Sequence, residues 1–325
     1  MVHAIWQNYP EIEASLIEVK KIIHQDLAIS SPSISDIIRD YIDASGKYIR
    51  AGLCIMFAKL NYGRIPHEIL YTAAAIEMLH LATLIHDDVI DDADSRRGVE
   101  SLHKQHSNRM AIYAGDYLFA YSARLFKQAH KLYESATMDE WVIERILDGE
   151  ISQLQNQFEQ SISMYQYLRQ IRGKTAMLFA LAVFSGSTNP ELNRFKSRQA
   201  FYLGLEIGMA FQLSDDLIDY QIDQTASGKP RLQDVQNGIY TAPLILAMQE
   251  ESFDKQLIKP RGHQWKEDEL TALVSEMEKF NVFNQTNALV DSYMKKSFAK
   301  LDKLSSKQSK DDIKELLNTV MKRNF

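Results

Sequence analysis

Glu77-Met78-Leu79-His80-Leu81-Ala82-Thr83-Leu84-Ile85-His86-Asp87-Asp88-Val89-Ile90-Asp91 ends a long apolar run on three aspartates, and Ser214-Asp215-Asp216-Leu217-Ile218-Asp219 repeats that ending far along the chain. In a helix of 3.6 residues per turn, Asp87 and Asp91 leave one face with Asp88 beside them, and Asp215, Asp219 and Asp216 do the same. Like charges at that spacing destabilise a bare helix. Two such clusters in apolar surroundings call for a cation. Hard oxygen ligands, with no thiolate and no paired histidine, suit magnesium shared with a phosphate-bearing substrate. A solvated acidic face is the plain alternative for one cluster, and the repetition weighs against it.

Around these clusters the pattern is helical. Residues 11–30 place Ile12, Leu16, Val19, Ile22, Ile23 and Leu27 at three- and four-residue steps. The same periodicity predicts helices over Tyr71–Asp91, Arg109–Tyr133, Glu140–Gln157, Thr175–Ser185 and Ala200–Tyr220. Ala73, Ala74, Ala75 and Ala82 allow close neighbours, and Gly204 with Gly208 reads as a packing notch rather than a membrane dimer motif. Breakers fall at Ser31-Pro32-Ser33, Asn61-Tyr62-Gly63, Asp94 to Gly98, Ser185 to Pro190 and Thr225 to Arg231. Phe253 to Asp268 reads as a loop, and Ile313, Leu316, Leu317 and Val320 as a last amphipathic helix. β-branched alternation is scarce, so no sheet is expected. One all-α domain spanning residues 1–325 is the simplest account.

The bulk numbers agree. In 325 residues, 45% hydrophobic and 25% charged content gives a globular chain with a substantial core. A net charge of −6 without a Lys/Arg block argues against a nucleic-acid partner. The single cysteine, Cys54, lies in an apolar stretch, packs as a small hydrophobe and fits a reducing cytosol. No signal peptide is visible, and no uninterrupted apolar run approaches a membrane span. A cytoplasmic protein that meets a greasy substrate from the aqueous side is expected.

Anchoring phosphate beside the aspartates needs a few placed cations. Lys47 and Arg50 stand three residues apart after Gly46. Arg96 and Arg97 follow the first cluster. Lys174-Thr175 opens an apolar helix, where free N–H groups and a hydroxyl can also meet phosphate. Lys229 follows Gly228 downstream of the second cluster. His80 sits two turns before Asp87 on the same face, and Gln212 three residues before Asp215. His86 reads as local packing. The plain reading of each cation is a solvated surface charge.

Taken together, the chain resembles the trans-isoprenyl diphosphate synthases (polyprenyl synthetases). The likeness runs from about Gly46 to Pro243 through GKYIR at 46–50, EMLHLATLIHDDVIDDADSRRG at 77–98, AGDYLFA at 114–120, GKTAMLF at 173–179, GMAFQLSDDLIDY at 208–220, GKP at 228–230 and TAPLILA at 241–247. The resemblance implies an all-α single-domain bundle around a deep central cavity (the isoprenoid synthase fold), usually in a homodimer. Asp87, Asp88, Asp91, Asp215, Asp216, Asp219 and Lys174 would be catalytic. Of these, Asp87 and Asp91, with Asp88 supporting, and Asp215 with Asp219 would hold about three magnesium ions. Arg96, Lys174, Thr175, Gln212 and Lys229 would bind the allylic diphosphate, and Lys47, Arg50, His80 and Arg97 the isopentenyl diphosphate.

In this family the growing tail runs beside the helix that precedes the first cluster, each isoprene unit adding about 5 Å, close to one turn. A bulky aromatic four or five residues before Asp87 would block it. Thr83 and Ala82 stand there, followed by Leu79 and Ile76, none aromatic. A hexaprenyl to octaprenyl product is therefore expected, with a geranylgeranyl or farnesyl product as the shorter alternative. Two places depart from the family pattern. Ala51 follows Arg50 where a proline is usual, which removes a rigid turn. Ile239 stands where many relatives carry a lysine, so one phosphate cation is missing. That departure keeps open a catalytic subunit needing a small partner, and a non-catalytic scaffold, which the retained aspartates and cations argue against. A terpene cyclase is a further rival, but Asp215-Asp216-Leu217-Ile218-Asp219 does not fit its second metal motif.

Overall fold

The computed structural model describes residues 2–29, 32–44, 46–96, 99–130, 141–188, 194–221, 232–304 and 308–322. From a 3-10 turn at Ala4–Trp6 the chain enters α1 (Pro10–Asp26), α2 (Pro32–Asp43), α3 (Ile49–Tyr62) and the long α4 (His67–Ile90). A small hairpin follows, β1 (Ser95–Arg96) against β2 (Val99–Glu100), with Ser95 opposite Glu100 and Arg96 opposite Val99. Next come α5 (Leu102–Gln105), α6 (Asn108–Ala129), α7 (Trp141–Gln155), α8 (Met164–Ile171), a π-helical turn (Arg172–Ala176), α9 (Met177–Ser187) and α10 (Arg194–Gln221). The last helices are α11 (Gln233–Gln236), α12 (Ala242–Met248), α13 (Glu267–Glu278), α14 (Val282–Leu301) and α15 (Gln308–Lys322). The fold is all-α as expected. The hairpin corrects the expectation of no strand pairing; two residues a side are too short to show alternation.

Local chemistry sets the helix ends. α1 starts with Pro10 in its first turn and Glu11 and Glu13 near the positive end of its dipole. α3 stops at Gly63, whose left-handed φ of +66° lets its N–H close on Lys59 O. Ser163 and Gln166 form a reciprocal capping box on α8. The stretch from Phe253 to Lys266 is a loop broken by one 3-10 turn at Lys255–Leu257, and α13 begins at Glu267.

α4 runs through the core, packed most extensively on α6 and also on α3 and α1; α10 lies between α9 and α14. One continuous apolar cluster reaches from Trp6 to Val320. The notch reading of Gly204 and Gly208 holds: a β-carbon on the first would stand 2.5 Å from Ala180 Cα, and on the second 2.9 Å from Ala176 Cβ. α4 is long and apolar enough to cross a membrane, a correction to the expectation that no segment is. Most of it is buried inside the bundle, as the centre of a packed core requires. Cys54 is fully buried in that core, and burial pushes its thiol pKa up.

The start of α3, which carries Lys47 and Arg50 into place, is held from two sides. The wholly buried Trp6 donates its indole N–H to Lys47 O at 2.6 Å. The carboxylate of Glu77 on α4 accepts the N–H of Ala51 at 3.0 Å. A proline at 51 has no N–H to give. The departure at Ala51 thus exchanges a rigid turn for a hydrogen bond that ties α3 to α4.

Candidate active site

The exposed side of α4 is a stripe. His80, Thr83, Leu84, Asp87 and Asp91 are half-buried and fall within one face at about 100° per residue. Asp88 and Glu77 turn toward α2 and α3, where Asp88 is 1% exposed and accepts the hydroxyl of Tyr41 at 2.7 Å. Asp88, expected among the metal ligands, is therefore a buried support: its place on the helix carries its carboxylate off the stripe. His86 turns the other way, toward α6. Its ring stacks on Phe119 at 5.6 Å and lies 3.4 Å from Asp116, and a β-carbon at Gly115 would strike it, so it is local packing. Of the product-channel residues, Thr83 lies on the stripe and Ile76, wholly buried, continues its line around the helix. Leu79 and Ala82 share the side of His86 and are wholly buried.

The second cluster has the same construction. Asp215 and Asp219 are half-buried, while Asp216 is 2% exposed. Asp216 accepts the hydroxyl of the buried Tyr167 and, at 2.8 Å, the amide N–H of Gln212. Gln212 in turn accepts the hydroxyl of Thr175 at 2.6 Å. Thr175 and Gln212, expected on the diphosphate, are here bound to each other and to Asp216. Burial first, and the charges of Asp215 and Asp219 after it, push the Asp216 acid up to about 7 against its two hydrogen bonds. Asp234, near the start of α11, is a member that motif reading missed. Burial and then Asp219 and Asp216 hold its acid well above the usual range, so it lies with the second cluster.

The π-helical turn joins the two clusters. Lys174 reaches Asp87 at 3.3 Å and Glu150 of α7 at 2.7 Å, while its neighbour Thr175 leads through Gln212 to Asp216. One widened turn therefore presents consecutive residues to both carboxylate sets, a use to which π-turns are often put. α7 can come this close because Gly149 meets the turn: a β-carbon there would stand 2.8 Å from the Gly173 carbonyl carbon and closer still to Lys174 N. Burial opposes the charge of Lys174, but Asp87 and Glu150 outweigh it, so its pKa is raised. Glu150 is pushed up to about 7 by burial, against the pull of Lys174. Glu150 was also missed from sequence; a lone acid on an amphipathic helix carries no motif.

On the other side of the stripe, Arg50 donates to His80 Nε2 at 3.0 Å, and its guanidinium lies over the rings of Phe179 at 4.5 Å and Phe211 at 5.9 Å. Arg50 and His80, grouped with Lys47 and Arg97 on isopentenyl diphosphate by the resemblance, are thus in contact. Lys47 is half-buried beside them in chain order. Arg97 and Lys229 lie outside the described residues, and of Arg96 only the backbone is described. Ile239 is half-buried, its N–H bonded to Asp234 O at 2.8 Å.

The donor set fits magnesium. It is all oxygen, and the ammonium of Lys174 already sits between one of its carboxylates, Asp87, and the neighbouring Glu150. Among the described residues no three such side chains converge as a closed cage. A magnesium ion that keeps waters and shares phosphate oxygens needs only one or two. The raised acids also set a pH signature for the metal-free chain. Glu150 and Asp216 keep protons in the folded state, up to about pH 7, that an unfolded chain releases near pH 4. Protons bound in the folded form exceed those in the unfolded form over that window, so stability falls as pH rises through it. In chelator, the melting temperature should drop by roughly 5 °C between pH 5.5 and pH 8. A flat or rising profile would contradict the burial of these two acids.

The polyprenyl synthetase family model matches residues 31–277. Heptaprenyl diphosphate synthase component 2 of Geobacillus stearothermophilus is 31% identical over 292 residues, 87% of this chain and 88% of that protein. Nonaprenyl diphosphate synthase of Mycobacterium tuberculosis is 32% identical over 248 residues, 75% of this chain and 72% of that protein. Among solved structures, a polyprenyl synthase from Caulobacter crescentus, complexed with calcium and isoprenyl diphosphate, superposes with a TM-score of 0.88 at 27% identity, covering 100% of this chain and 99% of that one.

Proposed function

The chain belongs to the polyprenyl synthetase family, and on that premise we propose that it condenses isopentenyl diphosphate head-to-tail (1′-4) with an allylic diphosphate to give a long all-trans polyprenyl diphosphate. The observation that carries the reading is the π-helical turn, whose Lys174 and Thr175 link the first and second aspartate clusters. A diphosphate is the ligand that two carboxylate clusters flanking a fixed ammonium group would share through cations.

Asp87, Asp91, Asp215 and Asp219 would hold magnesium, which when bound neutralises charge on the departing diphosphate. Lys174 adds fixed positive charge to the same leaving group. As the allylic C–O bond breaks, its electron pair leaves with the diphosphate. The double bond of isopentenyl diphosphate attacks the allylic carbon, and the new cation loses a proton to the departed diphosphate. Arg50 and His80 hold the second diphosphate, and the apolar walls of α4 and α9 exclude water from the cations.

Product length follows the α4 stripe. Thr83 lies one turn beyond Asp87, its hydroxyl spent on His80 O at 2.8 Å, and Ile76 stands deeper. A hexaprenyl to octaprenyl product suits that row. Thr83→Phe should shorten the main product by two or more isoprene units, read by separating extracted products. An unchanged length distribution would move the channel off this face. Shorter-chain synthesis remains the alternative product outcome.

The protein is proposed to act in the cytoplasm as a single domain and as a homodimer. Ile112 and Tyr113 on α6 and Leu147, Ile151 and Leu154 on α7 are exposed apolar side chains that a second copy would cover. A second reading is a catalytic subunit that needs a small partner, supported by relatives whose name marks them as one component and by Ile239 in place of a phosphate-binding cation. The deciding assay gives the purified chain farnesyl diphosphate, labelled isopentenyl diphosphate and magnesium. Long products that vanish with chelator support the self-sufficient enzyme. Activity only after host extract is added supports the two-component form, and none in either case leaves the scaffold.

A further inference from the structure

We propose that Tyr41 and Tyr167 are paired positioning residues, each gripping the inward aspartate of one cluster so that the outward aspartates present their carboxylates to metal. The inference rests on the diphosphate reading above. The two clusters lie on different helices, α4 and α10, yet are built alike. In each, the second aspartate is buried, at 1% exposure for Asp88 and 2% for Asp216. In each, a buried tyrosine from another helix donates its hydroxyl to that carboxylate: Tyr41 of α2 to Asp88 Oδ2 at 2.7 Å, and Tyr167 of α8 to Asp216 Oδ2. Tyr41 is 7% exposed and Tyr167 1%.

A buried carboxylate is costly unless hydrogen-bonded, and a hydrogen bond to a charged acceptor is shorter and stronger than a neutral one. The tyrosine offsets that cost. It also fixes the rotation of its helix about the axis, because the carboxylate must meet a hydroxyl anchored on a separate element. Rotation is what the metal site depends on. Asp87 and Asp91 stand about 60–100° around α4 from Asp88, so a helix turned to follow a lost contact would swing both away from the incoming diphosphate. Groups behind metal ligands commonly change metal affinity by about 10- to 100-fold when removed.

The test uses Mn²⁺ as the probe, followed by its paramagnetic resonance signal, alone and with inorganic pyrophosphate, on the full chain without substrate turnover. Tyr121→Phe is the control. Its buried hydroxyl bonds Ile23 O at 2.7 Å, so it removes a comparable hydrogen bond with no carboxylate partner. Tyr41→Phe and Tyr167→Phe should each weaken Mn²⁺ binding in the presence of pyrophosphate about tenfold, and Tyr121→Phe should lower the melting temperature without moving that affinity. If Tyr41→Phe does not fold, Asp88→Leu against Asp88→Asn reads the same contact from its other side. The asparagine keeps an oxygen for the hydroxyl and should hold the affinity within about threefold, while leucine should lose about tenfold. Wild-type affinity in both tyrosine variants, or equal loss from asparagine and leucine, overturns the assignment while leaving the diphosphate reading intact. A wild-type chain that binds no Mn²⁺ with pyrophosphate overturns both.

Discussion

Asp87→Ala should lower condensation turnover by about a thousandfold while leaving the melting temperature in place or slightly higher. Asp87 is half-buried on the α4 stripe and touches Lys174 at 3.3 Å. Removing it takes away a donor from the metal set and one of the two carboxylates that fix the ammonium. Little of the fold depends on it, since the buried member of the cluster is Asp88 and its Tyr41 partner is untouched. Loss of one charge from a crowded acidic helix end also relieves repulsion, which is why activity and stability should separate. Measuring kcat against magnesium together with thermal melts gives both halves. Turnover within tenfold of wild type would remove Asp87 from the metal site, and a large fall in melting temperature would make it structural.

Gly149→Ala should cost about 2–4 kcal/mol of stability and at least tenfold in turnover per folded molecule. The β-carbon would stand 2.8 Å from the Gly173 carbonyl carbon and 3.0 Å from Gln170 O, with Lys174 N nearer than either. All three are backbone atoms, so no flexible side chain can yield. α7 must move away from the π-helical turn, and Glu150 and Lys174, which face each other across that contact, move with it. Gly204→Ala provides the contrast. It meets Ala180 Cα at 2.5 Å in the α9–α10 notch, away from the aspartates, and should lower the melting temperature without lowering turnover per folded molecule. Equal losses of turnover in the two variants would mean that α7 does not set the position of Lys174.

Spacing alone sets each aspartate triplet on a helix face, whereas His80, Arg50 and Lys174 join the site through the resemblance; the structure brings Arg50 to His80 and Lys174 to Asp87. The same spacing sets Asp88 beside Asp87 and Asp91 but not how deeply it is buried, which depends on what lies across the helix, here a tyrosine 47 positions away in the chain. Tyr41 and Tyr167 carry no local signature; their role exists only once α2 meets α4 and α8 meets α10. Glu150 was hidden for the same reason, and the π-helical turn because one extra residue in a turn leaves hydrophobic periodicity almost unchanged. Thr175 and Gln212, expected on the diphosphate, are hydrogen-bonded to each other, a contact that exists only once the π-helical turn packs on α10. Ala51 shows the reverse case: a departure that looked like a loss from sequence is used by Glu77.

The burial of the lone thiol has a practical consequence. Cys54 is sealed in the core and its pKa is raised by that burial, so it offers almost no thiolate to a maleimide or a methanethiosulfonate reagent. A cysteine introduced at exposed Tyr165 or Ile17, outside the residues proposed to meet a second copy, would then be modified selectively in the native protein, with no need for a cysteine-free background. Spin labels or dyes placed in this way could measure distances between copies of the chain while every residue of its core stays as it is.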